Sequence, residues 1–169
     1  QASKVIPTYK HFPGLGRVKD NTDTSAGVVD STTNRLPDAA VGVFANAIAA
    51  GAQAIMVSSA TYSLIDSSAP AVFSSKIVTD MLRREMGFSG VVITDDVSAA
   101  VQVQEVGAGD RAVRAIRAGC DLVLASADPT VAADMVKALI ATAQSDPAFA
   151  ARVDESATRV LNLKKSLQS

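Results

Sequence analysis

Gly90-Val91-Val92-Ile93-Thr94-Asp95-Asp96 is the stretch on which the fold turns. Val91 to Thr94 is a strand-like run without polar alternation, the pattern of a strand covered on both faces in a parallel sheet. On its amino-terminal side Ser74-Ser75 precede a helix that carries Ile77, Val78, Met81, Leu82 and Met86 on one face and closes at Gly87. On its carboxyl-terminal side Asp110 to Ala118 reads as a helix stopped by Gly119, Leu122 to Ala125 as a strand, and Pro129 to Ala143 as the next helix. A last helix, Ala148 to Leu167, follows. Farther upstream, Ala54 to Val57 is a strand, and Asp38 caps a helix over Ala39 to Ala50 that Gly51 ends. Val5 to Tyr9 has the β-branched and aromatic character of a first strand. Four β/α units result, with no repeat of fixed period beyond that rhythm.

The rhythm predicts an α/β fold of parallel strands joined by right-handed crossovers. Two architectures fit four units: a small doubly wound open sheet, or half of an eight-stranded β/α barrel, which in full needs about 250 residues. Composition leaves both open.

Composition does exclude several partners. The chain carries 16 basic and 17 acidic residues for a formal charge of -1, which speaks against a nucleic-acid face or a polybasic membrane patch and points to a small or neutral ligand. With 48% hydrophobic and 20% charged residues, the chain can bury a core and shows no signature of disorder. No apolar stretch is long enough to span a bilayer, and the first residues have no signal-like pattern. Cytoplasm and cell envelope both stay open as compartments. The single cysteine, Cys120, sits where an apolar strand begins and reads as a buried thiol.

Two places carry chemistry. Lys10-His11-Phe12-Pro13-Gly14-Leu15-Gly16 puts a cation and an imidazole at the carboxyl end of the first strand, where the chain turns. Parallel α/β folds bind ligands at that end, although a Lys-His pair alone also suits an ordinary solvated turn. Asp95 and Asp96 end the apolar strand, and alternation lets only one of them face the mouth that holds Lys10 and His11. A carboxylate held there beside a cation is expected to keep a low pKa and stay ionised, as a nucleophile or metal ligand requires. The same pair also suits a cap for the segment that begins near Ser98.

Nearly the whole chain, 1–169, resembles glycoside hydrolase family 3. Lys10-His11-Phe12-Pro13-Gly14-Leu15-Gly16 resembles that family's Lys-His-Phe-Pro-Gly-His-Gly signature. Asp66 with Pro70 to Ser74 resembles its Asp-x-x-x-Pro-x-x-x-Ser stretch, and Met81 to Phe88 its Leu-Leu-Arg-x-Glu-Leu-Gly-Phe helix end. Gly90 to Asp96 is similar to the strand that bears the family's nucleophile, and the branch most resembled is the bacterial β-N-acetylhexosaminidases. The resemblance implies a single partial barrel domain over 1–169, the carboxyl-terminal half of a TIM-type (β/α)8 barrel that begins at the fifth strand. It implies a retaining exo-glycosidase acting on β-linked N-acetylglucosamine, or a related β-glycoside, of cell-wall-derived glycans. Asp95 falls on the nucleophile's position, and Lys10 and His11 on those of residues that hydrogen-bond sugar hydroxyls. No cofactor and no metal are implied. Asp96 turns away or supports the loop and receives no catalytic role.

The departures are as informative. The N-acetylglucosaminidase branch carries Asp-Ser-His in the loop after the Lys-His signature, with the histidine as general acid and base; here the stretch is Asp20-Asn21-Thr22-Asp23, and His11 is the only histidine in the sequence. Asp23 stands in the histidine's place and is the tentative acid/base, because a carboxylic acid serves this role in most glycosidases. Its loop, Arg17 to Arg35, is polar and without apolar periodicity, and is expected to be mobile and to bring Asp23 to the leaving group only when sugar is bound. Leu15, Ser59 and Ala99 stand where many members have histidine, histidine and methionine, so the pocket is altered on several sides.

A half barrel leaves two strand edges unpaired, and a complementary amino-terminal half-barrel chain or a second copy is the expected partner. A catalytically silent relative that binds sugar or a partner protein is the alternative. A third reading, a flavodoxin-like domain in which Asp95-Asp96 bind a metal or accept phosphate, fits the residues but not the resemblance.

Overall fold

The computed structural model describes residues 5–167, so residues 1–4 and 168–169 at the margins of the expected domain lie outside the described residues. Four strands, β1 (Thr8–Phe12), β3 (Ala54–Val57), β5 (Val91–Asp96) and β6 (Leu122–Leu124), form a wholly parallel sheet in the order β1-β3-β5-β6. A two-residue pair, β2 (Val29–Asp30) with β4 (Thr61–Tyr62), sits apart from it. The helices are α1 (Ala39–Ala49), a wide π-wound segment (Lys76–Glu85), α2 (Ala108–Ala118), α3 (Ala132–Ser145) and α4 (Pro147–Ser166).

Strand order decides between the two architectures. A doubly wound sheet reverses direction at a switch point, whereas these strands are added in chain order with no reversal. Right-handed crossovers that always step the same way keep every helix on one face. The sheet is therefore one wall of a (β/α) barrel.

The two faces differ accordingly. Ile55, Val57, Val92 and Thr94 are fully buried, whereas Met56 and Ile93, paired across β3 and β5, are only half-buried. Leu122, which pairs with Ile93, is 38% exposed, so the inner face is incompletely covered among the described residues. The sequence pattern led us to expect both faces of β5 to be covered.

Helix ends follow the local chemistry. Asp38 accepts a hydrogen bond from the Ala40 N–H at 2.9 Å, which caps α1 as expected. Ser74 Oγ accepts from the Ile77 N–H at the start of the wide helix. Gly119 ends α2 at φ +120°, where a Cβ would lie 2.6 Å from Thr79 Oγ1, so both the turn and the packing require glycine. Phe12, Phe44, Ile55, Val78, Leu82 and Val92 belong to one continuous core under the helices.

Two expectations are corrected. The first strand does not run from Val5 to Tyr9 but from Thr8 to Phe12, and Val5 is 76% exposed. Pro7 has no N–H to give to a ladder, so pairing begins after it. Lys10 and His11 therefore lie within the strand. The Arg17 to Arg35 loop is also anchored, contrary to its composition: Val28 and Thr22 are buried in it, and Arg17 donates to Asp38 at 2.8 Å and to Thr33. Asp30 folds the loop onto itself, because its carboxylate accepts from the N–H groups of Thr32 and Thr33 and from both hydroxyls.

Candidate active site

Between Tyr9 and Phe12, β1 carries one extra residue against β3: Tyr9 pairs with Ile55, and Phe12 with Val57. A bulge of this kind breaks strict alternation and re-aims side chains. Regular pleating would send Lys10 and His11 to opposite faces. Here Lys10 lines the cavity at the carboxyl end of the sheet, while His11 Nε2 lies 3.7 Å from Asp95 Oδ2. Phe12, next along, is fully buried and packs edge-on against Phe44 with ring centroids 5.2 Å apart, which fixes the bulge from below.

The cavity measures about 390 Å³ and is lined by Lys10, Asp23, Met56, Asp95, Leu124 and Ser126, among others. All four site residues singled out from sequence thus meet at one mouth. Lys10, Asp23 and Asp95 line it directly, and His11 reaches it through Asp95. Asp23 is exposed on its rim, whereas Asp95 keeps only 17% of its side chain accessible.

The two adjacent carboxylates have opposite environments. Asp95 Oδ1 accepts from the Asp96 N–H at 2.9 Å and its other oxygen faces His11, so it retains unused acceptor capacity toward the cavity. Burial pushes its pKa above the ordinary carboxylate value and outweighs the Asp96 N–H and the nearby cations. This corrects the expectation of a low pKa, because desolvation wins over the neighbouring cation. Burial likewise lowers His11, so the 3.7 Å contact sets a carboxyl against an imidazole that favours its neutral form.

Asp96 is spent on structure. One oxygen accepts from Ser98 N and Oγ and from Ala99 N, and the other from Ser126 N and Oγ and from Ala127 N, at 2.7–3.0 Å. Burial raises Asp96, but these donors outweigh it and hold the pKa well below the ordinary range. Asp96 therefore ties the loop after β5 to the loop after β6, and both loops wall the cavity. Asp96 also borders the cavity, but both of its oxygens are taken up by these donors, so the pair does not open two free carboxylates into it; among the described residues no group of three or more His, Cys, Asp or Glu side chains is placed to hold an ion.

Sequence reasoning missed the other ties. Arg111, 3% exposed, reaches the Ser98 carbonyl with Nη2 while its Nε is buried without a hydrogen bond. Gln102 pairs with the backbone of Val28, 74 positions away. The Asp96-Val97-Ser98 and Asp30-Ser31-Thr32 turns had a readable signal in an Asp two residues before a Ser or Thr. The Gln102 contact had none.

Comparison with known proteins bears on this arrangement. Residues 1–163 match the model of the glycosyl hydrolase family 3 N terminal domain. The chain belongs to glycosyl hydrolase family 3. An uncharacterized secreted glycosyl hydrolase of Arthroderma benhamiae is 34% identical over 170 residues, covering 99% of this chain and 48% of that protein. A beta-hexosaminidase of Stenotrophomonas maltophilia is 37% identical over 120 residues, 71% of this chain and 36% of the relative. Among solved structures, the beta-N-acetylhexosaminidase of Beutenbergia cavernae superposes with a TM-score of 0.92 at 59% identity, covering 94% of this chain and 46% of that one. A family 3 beta-N-acetylglucosaminidase of Paenibacillus sp. gives 0.86 at 29% identity over 98% of this chain and 32% of that one. This family 3 chain therefore spans less than half the length of these relatives, and its four parallel strands form the carboxyl-terminal half of a TIM-type barrel. The relatives support glycosidase chemistry in general.

Proposed function

We propose that this chain supplies the catalytic half of a retaining exo-glycosidase acting on β-linked N-acetylglucosamine, or a related β-glycoside, in cell-wall-derived glycans. The observation that carries the reading is the cavity that Asp95, Asp23 and Lys10 line together, in a chain 59% identical to a beta-N-acetylhexosaminidase over 94% of its length. Asp95 attacks the anomeric carbon, and the bond from that carbon to the aglycone oxygen breaks as Asp23 gives the oxygen its proton. Water then attacks the glycosyl-enzyme, Asp23 takes the water's proton, and the Asp95 carboxylate is released. Lys10 and His11 hold sugar hydroxyls. No cofactor or metal enters either step.

Among the described residues β1 and β6 each keep one unpaired edge, and together with the half-covered inner face this supports completion of the barrel by a complementary amino-terminal half or a second copy. The assembled barrel is expected to turn over an aryl β-N-acetylglucosaminide with retention, read by NMR as first-formed β-anomer of the free sugar. First-formed α-anomer would overturn the retaining mechanism.

The exposure of Asp23 favours one alternative, a silent sugar-binding relative without an efficient acid/base. Asp23→Ala separates the two readings. If Asp23 is the acid, its loss lowers kcat/KM, which reports the first step alone, by about 10²- to 10⁴-fold for an unactivated phenyl glycoside and far less for a nitrophenyl glycoside, whose leaving group needs no proton. Equal slowing of both substrates would remove Asp23 from the mechanism.

A further inference from the structure

The loop bearing Asp23 meets the rest of the site at one short seam. After β5 the chain makes a 3₁₀ turn, Val101–Val103, that begins only a few residues beyond Asp95. The Val101 N–H donates to the Asp23 carbonyl and the Gln102 N–H to the Thr22 carbonyl, each at 3.1 Å. The Gln102 side chain then repeats this pairing farther along the loop: Oε1 accepts from the Val28 N–H at 2.8 Å, and Nε2 donates to the Val28 carbonyl at 3.2 Å. A primary amide offers one donor and one acceptor side by side, so it pairs with a single residue's backbone as another strand would. Asp23 thus lies between two fastened points: its own carbonyl, and the doubly bonded Val28 five residues on.

We infer that Gln102 is a positioning residue that fixes where Asp23 stands relative to Asp95, by latching the loop 17–35 to the turn that follows the nucleophile strand. The inference rests on the reading of Asp23 as the acid. Gln102 is half-buried and does not line the cavity, so it acts only through the loop it holds. Other long-range ties here are made by backbone: the Val101 and Gln102 N–H groups on the Asp23 and Thr22 carbonyls, and the Thr61 N–H on the Val28 carbonyl at 3.0 Å, so the Gln102 amide is the side-chain tie that joins this stretch to the turn after β5. Val28 is its buried apolar residue, and the latch grips that residue's backbone. Arg17 with Asp38, and the folded turn at Asp30, secure the two ends of the loop; the backbone bonds hold Asp23 from its amino-terminal side, and the Gln102 amide adds the hold on its carboxyl-terminal side at Val28.

Gln102→Met keeps the length and packing of the side chain and removes both hydrogen bonds; Gln102→Glu keeps the acceptor and sets a carboxylate against the Val28 carbonyl. Both are assayed in the assembled barrel by kcat/KM on phenyl and nitrophenyl β-N-acetylglucosaminides, beside Asp23→Ala, with a thermal melt of each. Misplacing a catalytic group by about 1 Å can cost about 10²-fold, so Gln102→Met is expected to slow the phenyl glycoside by about that factor. The nitrophenyl glycoside should change far less, with Gln102→Glu falling between wild type and Gln102→Met. A merely structural role lowers the amount of folded enzyme and slows both substrates alike. Equal slowing, or none, in Gln102→Met beside a strong leaving-group dependence in Asp23→Ala overturns the latch and leaves the acid standing. Equal slowing in both variants overturns both.

Discussion

Asp95→Asn is expected to abolish turnover while raising, not lowering, thermal stability at neutral pH. The first half follows from position. Asp95 Oδ1 is held by the Asp96 N–H and the other oxygen is poised beside His11 at the cavity mouth, so the amide retains the geometry and loses the nucleophile. Loss of a covalent catalyst costs about 10⁴- to 10⁶-fold. The second half follows from burial, which raises the folded-state pKa of Asp95 above its unfolded value. The folded state therefore prefers the protonated form. Any stability linked to that preference is present at acid pH and lost as pH rises through the folded pKa, so the ionised side chain is a net cost at neutrality. Asn carries no charge to desolvate. The melting temperature of Asp95→Asn should exceed that of wild type at pH 7, and the gap should close as pH falls below the ordinary carboxylate range. A 2-fluoro glycoside should label Asp95 in the assembled wild-type barrel and nothing in Asp95→Asn, read by peptide mass. Labelling of Asp96 or Asp23, or undiminished turnover by Asp95→Asn, would falsify the assignment.

The sheet was legible in the sequence because its units are long enough to show a period. Ala54 to Val57 is bounded as read, Asp38 caps α1 as read, and Gly51, Gly87 and Gly119 close their helices at positive φ. The errors fall where local pattern competes with the ladder. Val5 and Ile6 look like a strand, but Pro7 delays pairing to Thr8. The pair β2 and β4 has two residues in each strand, too few for any alternation to appear, and it is held in place by Asp30 and the backbone around Tyr62. Strand order, which chooses barrel over open sheet, depends on pairing across the chain and is not written in any one segment.

The site divides in the same way. Lys10, His11 and Asp95 could be singled out because they stand in the carboxyl-terminal parts of two strands, in a recognisable order. That Lys10 lines the mouth while the adjacent His11 reaches Asp95 depends on a bulge set by pairing with Ile55 and Val57. The pKa of Asp95 was misjudged for a related reason: the cations near it are adjacent to motifs, whereas the burial that outweighs them is a sum over the fold. Cys120 shows the opposite case. Its apolar setting marked it as a core position, the thiol is buried as read, and burial pushes its pKa up to about 12.

At the other end of the sheet, Asp121→Asn is expected to cost the fold more than any substitution in the cavity. Asp121 immediately precedes β6 with a side chain that has no exposure, and five donors converge on it. Arg83 comes from the wide helix at 2.5 Å, Arg152 and Arg159 from α4 at 2.9 and 3.2 Å, Ser156 from α4, and the Val92 N–H from β5. One carboxylate thus joins two strands to two helices, at the amino-terminal end of the strands where barrels carry stability rather than chemistry. Asn puts an N–H₂ where Asp has an acceptor, so at least one donor loses its partner. It also strips the counter-charge from three guanidiniums, of which only Arg152 and Arg159 keep another carboxylate, Glu155. Breaking a buried charge cluster by removing one partner costs about 3–5 kcal/mol, a large share of the roughly 5–15 kcal/mol that stabilises a domain. For a chain of this size that corresponds to a fall in melting temperature of about 6–20 °C. Because the cluster is shielded from solvent, raising the salt concentration should not reproduce the loss in wild type. Adding Arg83→Met to Asp121→Asn should recover part of it, since the stranded charge with no second carboxylate is then gone. A fall of less than about 1 kcal/mol would reduce the cluster to the standing of a surface ion pair.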